Sequence, residues 1–270
     1  MQKNLFNNFK EDSIIFKNKE VFTVNYIPEI YKYRNHQLEA MAFYSKRVEQ
    51  DIAPSNMMLK GNNATGKTTT VKTYFKLISE AYNNVKCIYI NCQHYRTEYT
   101  ILSKIYKEII NTNITLSGLT TLDIYNEIME YVLKNKKILI IAFDDYGFLK
   151  NINELNKTFY SLSRAHETFD DVKISIIAIS SIKRNINLDS SVDTIFLPIE
   201  IKFPFYRYEE IFSILKQRCD LGFYCDVIND NILDKVVKNT FRKGNLRYGI
   251  KKLLELGEIA DRKDETKIEF

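Results

Sequence analysis

Eight consecutive residues, Gly61 to Thr68 (GNNATGKT), constrain this chain more than any other feature. They match Gly-x4-Gly-Lys-[Ser/Thr] in full and lie between an apolar run, NMMLK (56–60), and a helical run that begins near Thr68. Strand, glycine loop and helix in that order gather backbone N–H groups around one point, and the helix N-terminus adds partial positive charge there. Glycine is required where φ is positive or where a Cβ would strike the bound group, and Gly61 and Gly66 fill those positions. The point so formed suits the phosphates of ATP or ADP. Asn62, Asn63, Ala64 and Thr65 supply the loop and Lys67 reaches the β- and γ-phosphates. The Thr68 hydroxyl ligates Mg2+, and Thr69 continues the first helical turn.

The loop implies a parallel sheet, and the rest of the chain supplies one. VKCIYIN (85–91), KILIIAF (137–143), KISIIAIS (173–180) and PIEIKF (198–203) are short runs rich in Ile and Val, separated by helical stretches. Such runs are what strands buried on both faces require. The expected fold is α/β, a five-stranded parallel sheet with helices on both faces. Ahead of it, Leu38, Met41, Ala42, Ser45, Val48 and Ile52 recur at helical spacing, predicting one helix that stops before Pro54. After Pro204 the period is 3.6 throughout, in three helical segments without strands, so a small helical lid follows. The expected division is an N-terminal arm (1–24), a nucleotide-binding domain (25–204), a lid (205–262) and a frayed charged tail (263–270).

Composition excludes little beyond this. Of 270 residues 45% are apolar, enough for a core, and 39 Lys and Arg against 34 Asp and Glu leave a net charge of +5, which permits a nucleic-acid surface without demanding one. Four cysteines without a CxxC pair read as reduced thiols, and no run is long and apolar enough to span a bilayer. A soluble cytoplasmic protein is expected, with no membrane partner.

A phosphate loop needs a carboxylate from another strand to hold the magnesium shell, and Asp144 and Asp145 follow directly on the apolar run at 137–143. Asp144 is the expected magnesium partner. Asp145 stands where a carboxylate would orient the attacking water, although it is one methylene shorter than Glu.

With these residues in place the chain resembles the AAA+ replication initiators of the origin recognition complex and cell-division-cycle-six type, in their archaeal form. The resemblance runs from about Phe22 to Ala260. It rests on YIPEIYKYRNHQL (26–38), PSNMMLKG (54–61), YINCQ (89–93), FDDYGFL (143–149), IKFPFYRYEEIFSILKQR (201–218) and KGNLRYGIKKLL (243–254). It implies that Arg34, Tyr206 and Arg218 line an adenine and ribose pocket, and that Arg247 is the lid arginine reaching the γ-phosphate. Lys67, Asp145, Ser181 and Arg247 form the implied catalytic set. Three positions depart from the family pattern: Ser181 stands where a polar Asn is usual, Ser191 where a trans-acting arginine is expected, and Gly147 where a second Asp is usual. Phosphate binding is kept and hydrolysis weakened, which describes a switch with slow turnover.

The resemblance also implies DNA contact. The stretch 94–129 is longer than a simple crossover and similar to the family's DNA-touching insertion, where Arg96, Lys104 and Lys107 would meet phosphates. Family members usually continue into a C-terminal winged helix, and this chain ends at Phe270. The expected function is an ATP-binding initiator, nucleoid-associated, that engages origin duplex DNA weakly and recruits the replicative helicase, as a monomer or an ATP-dependent assembly. The alternative is a regulatory P-loop ATPase module acting through protein contacts without DNA.

Overall fold

The computed structural model describes residues 13–23, 26–28, 32–110, 118–149, 152–181 and 188–269. The chain divides into two compact units, one formed by Arg34–Pro204 and the other by Met1–Tyr33 together with Phe205–Phe270. The first unit holds α1 (Asn35–Ser45), β1 (Met57–Gly61), α2 (Lys67–Ala81), β2 (Val85–Asn91), α3 (Glu98–Ile110), α4 (Thr121–Lys134) and β3 (Ile138–Asp144). It continues with α5 (Ile152–Ser163), α6 (Ala165–Thr168), β4 (Lys173–Ser180), α7 (Ser190–Phe196) and β5 (Ile199–Phe203).

The five strands form one sheet in the order β2-β3-β4-β1-β5, and every pair is parallel. Parallel strands must be covered on both faces, and β3 shows how this sequence does it. Leu139, Ile141 and Phe143 enter a cluster with α3, α4 and α5, while Ile138, Ile140 and Ala142 enter another with α1 and α2. All seven β3 residues are buried. On the first face Phe159 joins Phe143 and Phe196 at ring-centroid distances of 5.0 and 5.1 Å. At the opposite end from the glycine loop, Asn56 ties three strands together: its side chain donates to Phe196 O (2.7 Å) and accepts from Ile176 N (2.8 Å), and its carbonyl accepts from Ile199 N (2.8 Å).

The helix expected before Pro54 is shorter than its pattern. It leaves α geometry after Ser45 and continues as a 3-10 turn, Lys46–Gln50, closed by Asp51 at φ 56°. Ser45 Oγ donates back to Met41 O (2.7 Å) and lies 2.6 Å from Tyr74 OH. Such back-bonding competes with the helical ladder and favours a bend.

The second unit contains α8 (Tyr208–Gly222), α9 (Asp230–Lys243) and α10 (Leu246–Arg262). Asn229 and Asn245 cap α9 and α10 with their side chains, and α9 ends at Gly244 with φ 58°. Leu215, Leu233, Val236, Val237 and Leu253 are fully buried among them. Here the structure corrects two expectations. Residues 13–23 are not a loose arm: Ile15, Phe16 and Phe22 belong to this helical core, Phe16 bridges Phe223, and Lys17 and Asn18 both donate to Gly222 O. Nor is the tail frayed, since Ile268 is buried and its N–H donates to Val227 O at 2.8 Å. Arm and tail lack any internal period because their partners lie elsewhere in the chain.

Close packing of the N-terminal aromatics depends on Gly257, where an added Cβ would lie 2.5 Å from Phe16 Cζ and 2.8 Å from Phe223 Cε1. Gly257→Ala gains up to about 1 kcal/mol of helix propensity and loses about 1–3 kcal/mol to overpacking. The urea midpoint of the variant is therefore expected to fall by the equivalent of about 1 kcal/mol. A raised midpoint would contradict this packing.

Candidate functional site

The sheet sets the site by register. Asp144, the last residue of β3, lies opposite Ile179 of β4, and Ser180 lies opposite Lys60, one residue before Gly61. The carboxyl ends of β3, β4 and β1 are thus side by side where the strand order turns back on itself, the usual place for a ligand in an open α/β sheet.

The two motif glycines serve different needs. Gly66 has φ 91° and starts α2 without a side-chain cap. At Gly61 the demand is space, since a Cβ would lie 2.5 Å from Phe203 O. Ala64 is also left-handed, at φ 61°, and Thr65 Oγ1 fastens the turn by donating to Asn62 O (2.8 Å). The loop curls round Lys67, whose Nζ donates to Gly61 O (2.8 Å) and Asn62 O (2.7 Å). A buried ammonium needs such oxygens, and phosphate oxygens are stronger acceptors of the same kind. The uncapped α2 N-terminus and the aimed cation fit a polyphosphate.

Thr68 Oγ1 donates to Asp144 Oδ2 at 2.6 Å, and Tyr89 OH donates to the same oxygen at 2.6 Å. A hydroxyl beside a carboxylate is a hard-oxygen pair that suits magnesium; two donors are too few for its octahedral shell, so phosphates and water would complete it. Asp145 turns away from β3 at φ 55° and accepts from Gln93 Nε2 at 2.6 Å. Burial, reinforced by Asp144 and Asp145, pushes the Cys92 thiol up, so it stays neutral beside the carboxylates. Tyr89 and Gln93 both lie in the YINCQ run, and motif spacing alone does not show that they meet the two aspartates: the register of β2 on β3 brings Tyr89 there, and the turn after Asn91 brings Gln93.

The remaining expected residues fall in different places. Arg34 is buried behind the loop: its Nε donates to Thr65 O (2.9 Å), its Nη2 to Pro204 O (2.9 Å), and its guanidinium lies 5.9 Å from the Phe203 ring centre. Ser181 follows β4, with its carbonyl accepting from Ser180 Oγ (3.0 Å). Ser191 is exposed in α7, and Gly147 sits in the 3-10 turn Tyr146–Phe148. In the helical unit Tyr206 is buried in the core. Arg218, also buried, donates to Val21 O (2.6 Å) and Tyr26 O (3.2 Å) and stacks 4.6 Å from the Tyr26 ring centre. The guanidinium expected in the adenine and ribose pocket thus has the carbonyls of Val21 and Tyr26 as partners. Arg247 is exposed in the first turn of α10.

The stretch 94–129 holds α3 and the first part of α4, between β2 and β3. Ile101, Leu102, Ile105 and Ile109 of α3 and Ile124, Ile128 and Met129 of α4 are buried in the sheet unit's core, and residues 111–117 lie outside the described set. Arg96 Nε donates to Gln93 O (2.7 Å), Lys104 pairs with Glu108 at 2.7 Å, and Lys107 is exposed. No helix among the described residues is long and apolar enough to cross a membrane.

Two protein-family descriptions match the chain: an AAA domain over residues 52–184 and a Cdc6 AAA+ ATPase-type lid domain over residues 212–270. The chain is 38% identical to the ORC1-type DNA replication protein 2 of Methanothermobacter thermautotrophicus, covering 93% of this chain and 66% of that protein. It is 35% identical to the ORC1-type DNA replication protein 2 of Methanosarcina mazei, covering 96% of this chain and 70% of that one. The Aeropyrum pernix ORC2 protein in its ADPNP-ADP complexes is similar in structure, with a TM-score of 0.82, 25% identity, and coverage of 94% of this chain and 70% of that chain. The fold is also that of the Aeropyrum pernix ORC1 protein in complex with DNA, with a TM-score of 0.81, 24% identity, and coverage of 96% and 68%. The chain spans about two-thirds of the length of these relatives. With a nucleotide-loop sheet unit and a Cdc6-type lid, and with relatives of 35% identity aligned along most of its length, this chain belongs to the family of ORC1-type DNA replication proteins.

Proposed function

We propose that this chain is the ATP-switched part of a DNA replication initiator. In this reading it binds ATP or ADP with magnesium, and its nucleotide state sets its readiness to engage origin duplex DNA and the replicative helicase. The observation that carries the reading is the arrangement of Lys67, Thr68 and Asp144 at an uncapped helix N-terminus, in a chain with a Cdc6-type lid. Lys67, now held by two carbonyls, would take phosphate oxygens in their place, and Thr68 and Asp144 would together hold the metal. Magnesium, when bound with ATP, neutralises phosphate charge. Arg34 keeps the loop in shape through Thr65 O, and Arg218 and Tyr206 keep the lid in shape, so their part in an adenine site is indirect. Arg247, exposed on α10, is the residue assigned to the γ-phosphate.

Hydrolysis is slow in this reading. Asp145 is short, is engaged by Gln93, and must leave that bond before orienting water. Ser181, Ser191 and Gly147 offer none of the Asn, Arg or Asp chemistry found at the corresponding family positions. DNA contact rests on Arg96 and Lys107 more than on Lys104, which is committed to Glu108. The cell compartment in this reading is the cytoplasm, on the nucleoid, with the protein acting as a monomer or an ATP-dependent assembly.

Three outcomes are expected. Lys67→Ala weakens magnesium-ATP binding in calorimetry by about 2–3 kcal/mol, roughly 30- to 150-fold, and unchanged affinity would remove the nucleotide assignment. Phosphate release stays far below a typical turnover of about 10 per second. Asp145→Glu then raises it if reach is the limiting defect, and no rise would place the defect at Ser181 or Ser191. Duplex DNA binds with Kd near the roughly 10⁻⁴–10⁻⁶ M of non-specific complexes and loses affinity steeply with salt, and Lys107→Glu lowers both affinity and salt slope. No binding at low salt in any nucleotide state would favour a module that acts through protein contacts.

A further inference from the structure

Asp144 Oδ2 receives two hydroxyl groups, from Thr68 and from Tyr89, each at 2.6 Å. Thr68 is itself a metal donor on the phosphate-binding helix. Tyr89 comes from a neighbouring strand, β2. Register explains how it reaches Asp144. Tyr89 is paired with Ala142, and Asn91 with Asp144, so the side chains of 89, 91, 142 and 144 share one face of the sheet. From Tyr89 to Asp144 is a two-residue step along the strands, about 7 Å, and the small Ala142 side chain leaves the phenol room to span it. On the helix side Lys72, one turn beyond Thr68, holds its ammonium 5.3 Å from the Tyr89 ring centre. The ring is therefore fixed by the sheet, by Lys72 and by its own hydroxyl.

On the magnesium-nucleotide reading above, we infer that Tyr89 is a positioning residue for Asp144, holding Oδ2 toward the metal site when Thr68 gives up its bond to ligate magnesium. A carboxylate with one holder loses its aim when that holder turns away. Here the second donor comes from an element that has no reason to move, and its bond goes to an anion, the stronger kind of hydrogen bond.

Tyr89→Phe tests this directly, because it keeps the ring between Ala142 and Lys72 and removes only the hydroxyl. ATP affinity is measured by calorimetry with EDTA and across a magnesium series, in the wild-type and Asp144→Ala backgrounds. The expected result is an unchanged Kd in EDTA, a Kd about tenfold higher in magnesium, and a similar rise in the magnesium concentration at half effect. In the Asp144→Ala background Tyr89→Phe should change nothing further. The inference is overturned if magnesium dependence is that of the wild type, or if the loss is equal in EDTA or persists without Asp144, which would make Tyr89 a packing residue. Wild-type protein whose ATP affinity does not depend on magnesium would instead defeat the magnesium assignment of Thr68 and Asp144 on which the inference rests, and wild-type protein that binds no ATP would defeat the nucleotide reading itself.

Discussion

A strand covered on both faces can meet water, and therefore charge, only at its ends. β3 lies under this constraint along its whole length, and its first solvent-reaching side chain in the carboxyl direction is Asp144, whose relative exposure is only 7%. Because β4 and β1 follow it in the sheet, Ser180 and Gly61 come to the same edge. Every polar group of the site is a consequence of where apolar runs stop. The charges placed there are nearly buried, and each is met by oxygen or hydroxyl: Lys67 by two carbonyls, Asp144 by Thr68 and Tyr89. An unmatched charge at that depth would cost several kcal/mol, so removing any one of these partners is costly.

Much of this was legible in the sequence, for reasons that differ residue by residue. The strands could be read because a doubly covered strand leaves an uninterrupted run of Ile and Val, as in KILIIAF. The glycine loop could be read because its backbone demand falls within eight residues. The reason for Gly61 could not, since the obstacle is Phe203 on β5, a partner that exists only after the sheet has formed. Tyr89 was hidden in the same way. An aromatic residue in an apolar strand reads as packing, and only its pairing with Ala142 shows that its hydroxyl meets Asp144. The bend after Ser45 accompanies a back-bond to Met41 O and a contact with Tyr74, a residue 29 positions away, and within 94–129 the apolar faces of α3 and α4 help to fill one side of the sheet.

The helical unit teaches the complementary lesson. Its three helices were plain from their period, yet what completes its core was not, because residues 13–23 and 263–269 carry no pattern of their own. Phe16 and Phe22 read as stray aromatics beside charges, and nothing in the run around Arg218 shows that its guanidinium meets the backbone of the N-terminal segment. Their meaning is mutual: the aromatics pack against Phe223, and the guanidinium satisfies the backbone of Val21 and Tyr26.

That mutual dependence has a bearing on how the protein is made. The helical unit is discontinuous: Ser13 bonds Asp261 across 248 positions, and Val21 bonds Arg218 across 197, with the whole sheet unit encoded between them. On the ribosome the earliest of these segments must wait, its aromatic side chains without partners, until almost the last helix has emerged. The sheet unit, continuous in sequence, has no such delay. Closing so long a loop costs little more than closing a short one, about 0.6 kcal/mol for each doubling, so the penalty is one of time and exposure. Phe16 and Phe22 thus need shelter while the segments they pack against are still being synthesised.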